Sequence, residues 1–224
     1  GRVIGTLGVS FNNFSLRNVF NGRAWKPVPT GDGQKLSLRV QSYGAGYISY
    51  SASFTEPWLG GRKPNALSVS YYHSLFSNGV PKDSPDRRSF VINGVTVGLG
   101  KRLTWPDDYF QLYIAGNIQR YDLKNYVSVF SFGTGTGSYN NFSANVTLSR
   151  NSIDQPIYPR TGSMVSLSLD FTPPYSAFTD RNFGALTESE RYKWIEYHKW
   201  GFQAAYFTPL VENLVVMARA KYGF

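Results

Sequence analysis

The stretch that decides the fold is YISYSASFTEPWLGGRKPN, residues Tyr47–Asn65. In its first half, serines at every second position from Ser49 to Ser53 alternate with apolar and aromatic residues. This period of two predicts a β-strand with one apolar and one polar face. The alternation stops at Pro57-Trp58 and the pair Gly60-Gly61, where proline and glycine favour a turn. A tryptophan therefore stands at the end of a strand, and the rest of the sequence indicates which face meets water.

The composition of the 224 residues is unusual for a cytosolic enzyme. Charged residues make up 17% of the chain, below the share of about 25% in soluble domains, and aromatic residues make up another 17%. The net charge is +9, but lysines and arginines are scattered and form no basic run, which argues against nucleic-acid binding. With no cysteine, the chain has no disulfide, zinc–thiolate site or thiol nucleophile. No leader peptide is recognisable, so we expect a mature start or a piece of a longer chain.

Period-two segments recur from end to end, and helical periodicity is almost absent. Many segments run about nine to thirteen residues, longer than the five or six usual in soluble sheets and close to the nine to eleven of a tilted membrane strand. No stretch approaches the roughly 18 apolar residues of a membrane helix. The sequence predicts ten strands: Arg2–Phe14, Lys35–Tyr43, Tyr47–Phe54, Ala66–Phe76, Ser89–Leu103, Tyr109–Tyr121, Tyr139–Arg150, Ser163–Phe171, Trp194–Thr208 and Leu214–Phe224.

One face of these segments carries modest apolar side chains, and the other carries hydroxyls, amides and a few cations. In GSMVSLSLDF, for example, Leu167 and Leu169 alternate with Ser166, Ser168 and Asp170. The pattern is typical of a transmembrane barrel whose apolar face meets lipid and whose polar face lines a water-filled lumen. The candidate lumen-facing side chains are Lys35, Ser37, Arg39, Ser166, Ser168, Asp170, Arg219 and Lys221.

A soluble β-sandwich is the alternative, with the apolar face in a core and the polar face in bulk water. The strand lengths, the low charge and the aromatic residues near strand ends favour the membrane barrel, because aromatic girdles mark both interfaces of such barrels. The candidate interface aromatics are Trp58, Trp105, Tyr109 and Trp200.

The connections alternate in length, as expected of an outer-membrane barrel with long loops outside and short turns in the periplasm. Ser15–Gly33 breaks this rule. It is long, although its place in the series puts it at the periplasmic end, where short turns are expected. A second irregularity lies in Ser89–Leu103, where the apolar positions change parity at Asn93-Gly94. Either a β-bulge sits at this pair, or the segment is assigned out of register.

Several connections resemble those of the BamA family of outer-membrane assembly factors. Phe54–Asn65 resembles an aromatic- and proline-containing turn of that family, in a form similar to that of Bacteroidetes-type proteins. Tyr158–Ser163 resembles its (F/Y)P-x-x-G turn, Phe14–Asn18 resembles the turn after its second strand, and GDGQKLSLRVQ resembles the strand that follows. The order and spacing of these motifs match across nearly the whole chain.

The resemblance implies both a fold and a function. Family members have a barrel of about sixteen strands behind periplasmic POTRA domains. Residues 1–224 would then be strands two to eleven, an all-β, antiparallel, partial transmembrane β-barrel. The implied function is insertion of client outer-membrane proteins by lateral gate opening and strand templating, in the outer membrane of a Gram-negative bacterium. The family's Val-Arg-Gly-Phe loop motif and its acidic partners do not occur in the sequence.

The resemblance also implies partners. These are outer-membrane lipids and lipopolysaccharide, client outer-membrane proteins and the accessory lipoproteins of an assembly complex. Neither a cofactor nor a nucleic acid is implied.

The residues themselves indicate no enzymatic chemistry. The histidines His73 and His198 lack metal-ligand spacing, and the run Gly133–Gly137 lacks the lysine of a phosphate loop and is expected to be a flexible outer loop. An activity of His73 at the outer rim of a barrel is the alternative to a structural histidine among aromatics.

The terminal Phe224 is compatible with two interpretations of the chain. Outer-membrane barrels often end in phenylalanine, so the chain would be a complete ten-stranded barrel acting as a pore, transporter or surface-binding protein. The register of the family predicts instead that further strands follow.

Overall fold

The computed structural model describes residues 4–61, 65–127, 135–178, 186, 188–191, 193–212 and 214–224. Ten antiparallel strands form one sheet in which each strand pairs with the next along the chain. No pairing joins the first strand to the last within this described region, so the sheet is an open, partial barrel. The predicted all-β class and the ten strands are confirmed: β1 (Ile4–Phe14), β2 (Gln34–Tyr43), β3 (Tyr47–Glu56), β4 (Asn65–Ser77), β5 (Ser89–Arg102), β6 (Phe110–Lys124), β7 (Gly137–Asn151), β8 (Gly162–Phe171), β9 (His198–Val211) and β10 (Leu214–Gly223).

Helical structure in the described residues is limited to single turns between strands. The turns are the 3-10 segments Arg17–Phe20, Gly22–Ala24, Leu59–Gly61 and Tyr175–Phe178 and the α-helical turn α1, Glu188–Arg191. None of the described helices is long and apolar enough to cross a membrane.

The strand register brings side chains of like polarity onto one face of the sheet. One face, which we call the apolar face, aligns Leu36 of β2 with Phe54 of β3. The other, the serine face, aligns Ser37 with Ser10 of β1 and Ser53 of β3. Because successive side chains of a strand point to opposite faces, this register sorts polar from apolar side chains over most of the sheet.

Large hydrophobic side chains remain exposed on the apolar face. Leu7 is 71% exposed, and Leu38, Leu99, Ile118 and Leu167 are exposed as well. The hydrophobic side chains that are buried are few among the described residues, namely Phe14, Ala115, Leu123 and Tyr139. Soluble monomers rarely expose a continuous apolar surface of this extent, whereas a barrel wall in lipid requires one.

The connections alternate between the two ends of the sheet. Those after β3, β5, β7 and β9 are short and define the short-turn end, whereas those after β4, β6 and β8 are longer and define the long-loop end. The glycine-rich run Gly133–Gly137 spans the end of the connection after β6 and the first residue of β7, and Gly133 and Thr134 lie outside the described residues. Arg62–Pro64 of the motif after β3 also lie outside them.

The parity change in β5 does not come from a β-bulge. The register of β5 with β4 and with β6 runs without interruption through Asn93-Gly94. The alternation continues, and single positions carry the opposite polarity instead: Asn93 lies between Val91 and Val95 on the apolar face, while Phe90 and Ile92 lie on the serine face. The predicted bulge and the alternative of an out-of-register segment are therefore both wrong.

The same inversion occurs in four neighbouring strands. On the apolar face, polar side chains stand side by side in β4–β7, namely His73, Asn93, Arg120 and Asn140. Nearer the long-loop end, the serine face carries aromatic side chains in these strands, namely Phe76, Phe90, Tyr121 and Tyr139. Leu75 and Val91 still lie on the apolar face beyond this row, but polar groups on that face and aromatic groups on the other are the pattern expected where β4–β7 extend beyond the lipid.

β9 begins at His198, later than the predicted Trp194, because the residues before it pair elsewhere. Trp194 forms a parallel bridge with Asn140 of β7, and the Asn140 N–H donates to the Lys193 carbonyl at 2.7 Å. This segment occupies the edge of β7 beyond Ala144, where the pairing of β8 stops. The backbone of β7 is thereby satisfied past the end of its neighbour.

The first connection, Ser15–Gly33, is ordered in spite of its length. The Ser15 hydroxyl donates to Asp32 at 2.6 Å and accepts from the Asn18 N–H at 3.1 Å. The Leu16 N–H donates to Gln34 at 2.7 Å, which ties the connection to the start of β2. The connection forms a compact cap at the short-turn end.

Two glycines on the serine face of β5 make room for tyrosines of neighbouring strands. A Cβ added to Gly94 would lie 2.7 Å from Tyr72 Oη, and one added to Gly98 would lie 2.8 Å from Ser68 Oγ and against the ring of Tyr113. Tyrosine rings covering strand glycines are a known device for pinning sheet register.

Replacing Gly98 by valine is expected to destabilise the folded barrel by about 1–3 kcal/mol, because Tyr113 and Ser68 must move. The matched variant Gly116→Val puts the same side chain on the apolar face, where nothing lies within 4 Å of the added Cβ. This variant is expected to be nearly as stable as the unmodified protein. Urea unfolding in lipid vesicles measures both free energies, and an equal loss in the two variants would contradict the packing at Gly98.

Candidate functional site

All eight candidate lumen-facing side chains lie on the serine face of the sheet. On β2, Arg39 lies opposite Ser51 of β3, and on β8 Ser168 lies opposite Thr147 of β7. They form one group on β2 and another on β8 and β10: Lys35, Ser37 and Arg39, and Ser166, Ser168, Asp170, Arg219 and Lys221.

Hydroxyl and amide groups bond across neighbouring strands on the serine face. The hydroxyls of Ser49 and Ser74 lie 2.8 Å apart, and Thr96 Oγ1 donates to Asn117 Oδ1 at 2.9 Å. Paired polar groups of this kind hold the wall in one geometry and remain compatible with water. The serine face is therefore a hydrophilic wall, as the sequence predicts.

A polar network on the serine face was not evident from the sequence. Gln119 Nε2 donates to Tyr72 Oη at 2.5 Å, and Tyr121 Oη donates to Gln119 Oε1. Asn141 Nδ2 donates to Gln119 Oε1 at 3.2 Å and to Tyr197 Oη at 3.4 Å. The network joins β4, β6, β7 and the residue before β9. The sequence carried one signal for it: Gln119 and Tyr121 both occupy odd-numbered positions of β6 and therefore lie on the same face of that strand.

A cluster of aromatic side chains lies next to this network, toward the long-loop end of the sheet. Tyr47 contacts Phe76 with ring centroids 4.7 Å apart, and Phe90 stacks on Tyr121 at 6.0 Å and 7°. Phe90 also stacks on Phe76 at 5.8 Å. The cluster packs the serine face of β3–β6 at the long-loop end.

The candidate interface aromatics lie toward the two ends of the sheet. Trp58 and Trp105 occupy connections at the short-turn end and are 45% and 81% exposed. Tyr109 precedes β6, where its ring lies 5.4 Å from the Arg150 guanidinium carbon. Trp200 lies on the apolar face of β9 toward the long-loop end, opposite Leu169. Depth in a bilayer stays a prediction for all four.

Two aspartates order the turns at the short-turn end. Asp107 accepts from Arg150 Nε at 2.8 Å and from the Tyr109 N–H at 2.9 Å. Desolvation alone would raise the pKa of Asp107, but these hydrogen bonds and the charge of Arg150 outweigh it and lower the pKa. Asp154 accepts from the backbone N–H groups of Arg160 and Thr161, which lower its pKa. Both carboxylates fix turns rather than form a reactive pair.

A cavity of about 470 Å³ lies on the serine face near the short-turn end. Its lining mixes amide, hydroxyl, thioether and guanidinium groups, including Gln111, Ser149, Ser166, Gln203, Met217 and Arg219. Within the described residues, no group of three or more His, Asp or Glu side chains is arranged to hold a metal ion. His73 bonds Asn93 through Nδ1 at 2.7 Å and lies beside the ring of Tyr50.

Comparison with known proteins identifies one family. The chain matches the model of the Omp85 superfamily domain over residues 30–224. It is similar to the crystal structure of BamA from Haemophilus ducreyi lacking POTRA domains 1–3, with a TM-score of 0.61, 17% sequence identity and 97% of this chain covered. The chain spans 38% of the length of that protein. No curated protein sequence matches the chain. At this identity, the structural likeness establishes the fold.

Tryptophan fluorescence tests the predicted interface positions. Variants that retain only Trp58 or only Trp200 are expected to be quenched strongly by lipids brominated near the headgroup, because tryptophan is favoured at that depth. A variant that retains only Trp194 is the control, since Trp194 lies before β9 and packs on Tyr175 at 4.9 Å. Quenching of Trp58 and Trp200 no stronger than that of Trp194 would contradict the assignment.

Proposed function

The chain belongs to the Omp85 superfamily, and we propose that it is part of the barrel of an insertase that folds client proteins into the bacterial outer membrane. The observation that carries the proposal is the open sheet with its uncovered apolar face, in a chain matched to this superfamily over residues 30–224. We propose no enzymatic activity, in keeping with a role in assembly.

The proposed mechanism uses the free edges of an incompletely paired barrel. The backbone N–H and C=O groups of an unpaired edge strand form hydrogen bonds with an incoming strand, whatever its side chains. At a weakly paired seam between the first and last strands of the whole barrel, such an edge templates the strands of a client. The seam strands, the remaining barrel strands and the POTRA domains are proposed to lie in other parts of the full-length protein.

In this mechanism the ten described strands form the stable wall that holds the seam. Cross-strand bonds such as Ser49–Ser74 and the network around Gln119 keep this wall rigid while the seam opens. The apolar face contacts outer-membrane lipids, including lipopolysaccharide, and the turns at the short-turn end face the periplasm. Accessory lipoproteins are proposed to bind on that periplasmic side.

The competing function is that of a complete ten-stranded pore, transporter or surface-binding protein. A pore of that kind needs pairing between β1 and β10, which the described residues lack. The proposal therefore predicts that the full gene encodes POTRA domains upstream and further strands with a Val-Arg-Gly-Phe loop downstream.

Client folding in vesicles tests the proposed activity. The full-length protein, reconstituted in liposomes with its accessory lipoproteins, is expected to fold a urea-denatured outer-membrane barrel several times faster than protein-free liposomes. Liposomes that contain an unrelated porin are the control for defects that any barrel introduces into a bilayer. Folding is measured as the heat-resistant band on gel electrophoresis. A rate equal to that of the porin liposomes would overturn the proposal.

A further inference from the structure

We propose that the serine face attracts small inorganic anions, so that the lumen it lines conducts anions in preference to cations. This activity is additional to client insertion and does not depend on it. The proposal stands on the charge of the serine face, on where the ion pairs lie, and on the polar wall between the charges.

The serine face of the ten described strands is strongly basic. The register assigns six cations to it against the single carboxylate of Asp170, which leaves five excess positive charges. The cations are Lys35, Arg39, Arg102, Lys199, Arg219 and Lys221. Each of the six is exposed to solvent, and Arg102 also donates from Nε to the Asp108 carbonyl at 2.7 Å.

The ion pairs of the described residues lie on the other face. Arg120 pairs with Asp122 at 3.1 Å and Arg150 pairs with Asp107 at 2.8 Å, and both arginines belong to the apolar face. These two arginines are thus paired with carboxylates, whereas the serine-face cations make no salt bridge within the described part of the chain.

The one carboxylate on the serine face is also engaged elsewhere. Asp170 lies opposite Lys199 in the register of β8 and β9, but it accepts a hydrogen bond from Asn145 Nδ2 at 2.7 Å. Lys199 Nζ lies instead 5.0 Å from the ring of Tyr197. The excess positive charge is therefore uncompensated along this part of the wall.

Five of the six cations stand in two groups, and the polar wall between them carries one cation, Arg102 at the short-turn end of β5. One group is on β2 and the other on β9 and β10, and the serine face of β3–β7 carries hydroxyl and amide groups such as Ser51, Thr96 and Asn117. Hydroxyl and amide groups solvate a passing ion without binding it tightly. Fixed charges in a narrow passage with low-dielectric walls focus their field on the passage, and arginine and lysine side chains there favour anions.

Conductance of the full-length protein in a planar lipid bilayer tests the proposal. Under a KCl gradient, the zero-current potential is expected to have the sign of a pore more permeable to chloride than to potassium. The triple variant Lys199→Gln/Arg219→Gln/Lys221→Gln is expected to lower the chloride-to-potassium permeability ratio by roughly twofold or more, because it removes three of the six serine-face cations of the described strands.

Two further variants separate this effect from a folding defect. Asp170→Asn removes the only serine-face carboxylate of the described strands and is expected to raise the permeability ratio, which is a gain that misfolding does not produce. Lys101→Gln on the apolar face is the matched control and is expected to leave the ratio unchanged.

Three results would overturn the proposal. They are a preference for potassium in the unmodified protein, a permeability ratio that does not respond to the triple variant, and the absence of conductance. Client folding measured on the same preparations distinguishes this failure from failure of the insertase function, since the two readouts are independent.

Discussion

In a bilayer, every backbone N–H and C=O group must find its partner within the protein, and the structure depends on this constraint. The pairing of each strand with the next from β1 to β10 satisfies it strand by strand, with register shifts between Phe11 and Phe14 of β1 and between Leu214 and Val215 of β10. Where β8 ends at Phe171, the segment around Trp194 pairs with β7 instead. Within the described sheet, unpaired edges remain at β1 and β10, where the rest of a larger barrel would join.

The same register fixes where each side chain points, so the chemistry of the two faces follows from the backbone pairing. Over most of the sheet, leucines and valines lie on the apolar face, which we propose meets lipid, and serines and amides lie on the serine face. Where strands extend beyond the lipid, water replaces lipid on the outer face, whereas the backbone pairing of the strands continues unchanged. Asn93 and Arg120 then point outward and Phe90 and Tyr121 point inward. One continuous sheet thus meets two surroundings without a break.

The sequence predicted the sheet well, because alternation in stretches such as YISYSASF is a local property of the chain. It failed at Asn93-Gly94, since a reversal of polarity without a bulge is visible only when the neighbouring strands show the same reversal at the same level. It misplaced the start of β9, because the pairing of Trp194 with Asn140 is long-range. The network of Tyr72, Gln119 and Asn141 was missed for the same reason: residues far apart in sequence meet only through the register.

Cysteine labelling tests the central claim, that the apolar face meets lipid and the serine face lines the lumen. The chain has no cysteine, so single substitutions give an unambiguous signal. In vesicles, a charged, membrane-impermeant maleimide is expected to react with Ser166→Cys and not with Leu167→Cys, its neighbour on β8. Protection of Ser166→Cys together with rapid labelling of Leu167→Cys, or equal labelling of both, would contradict the claim.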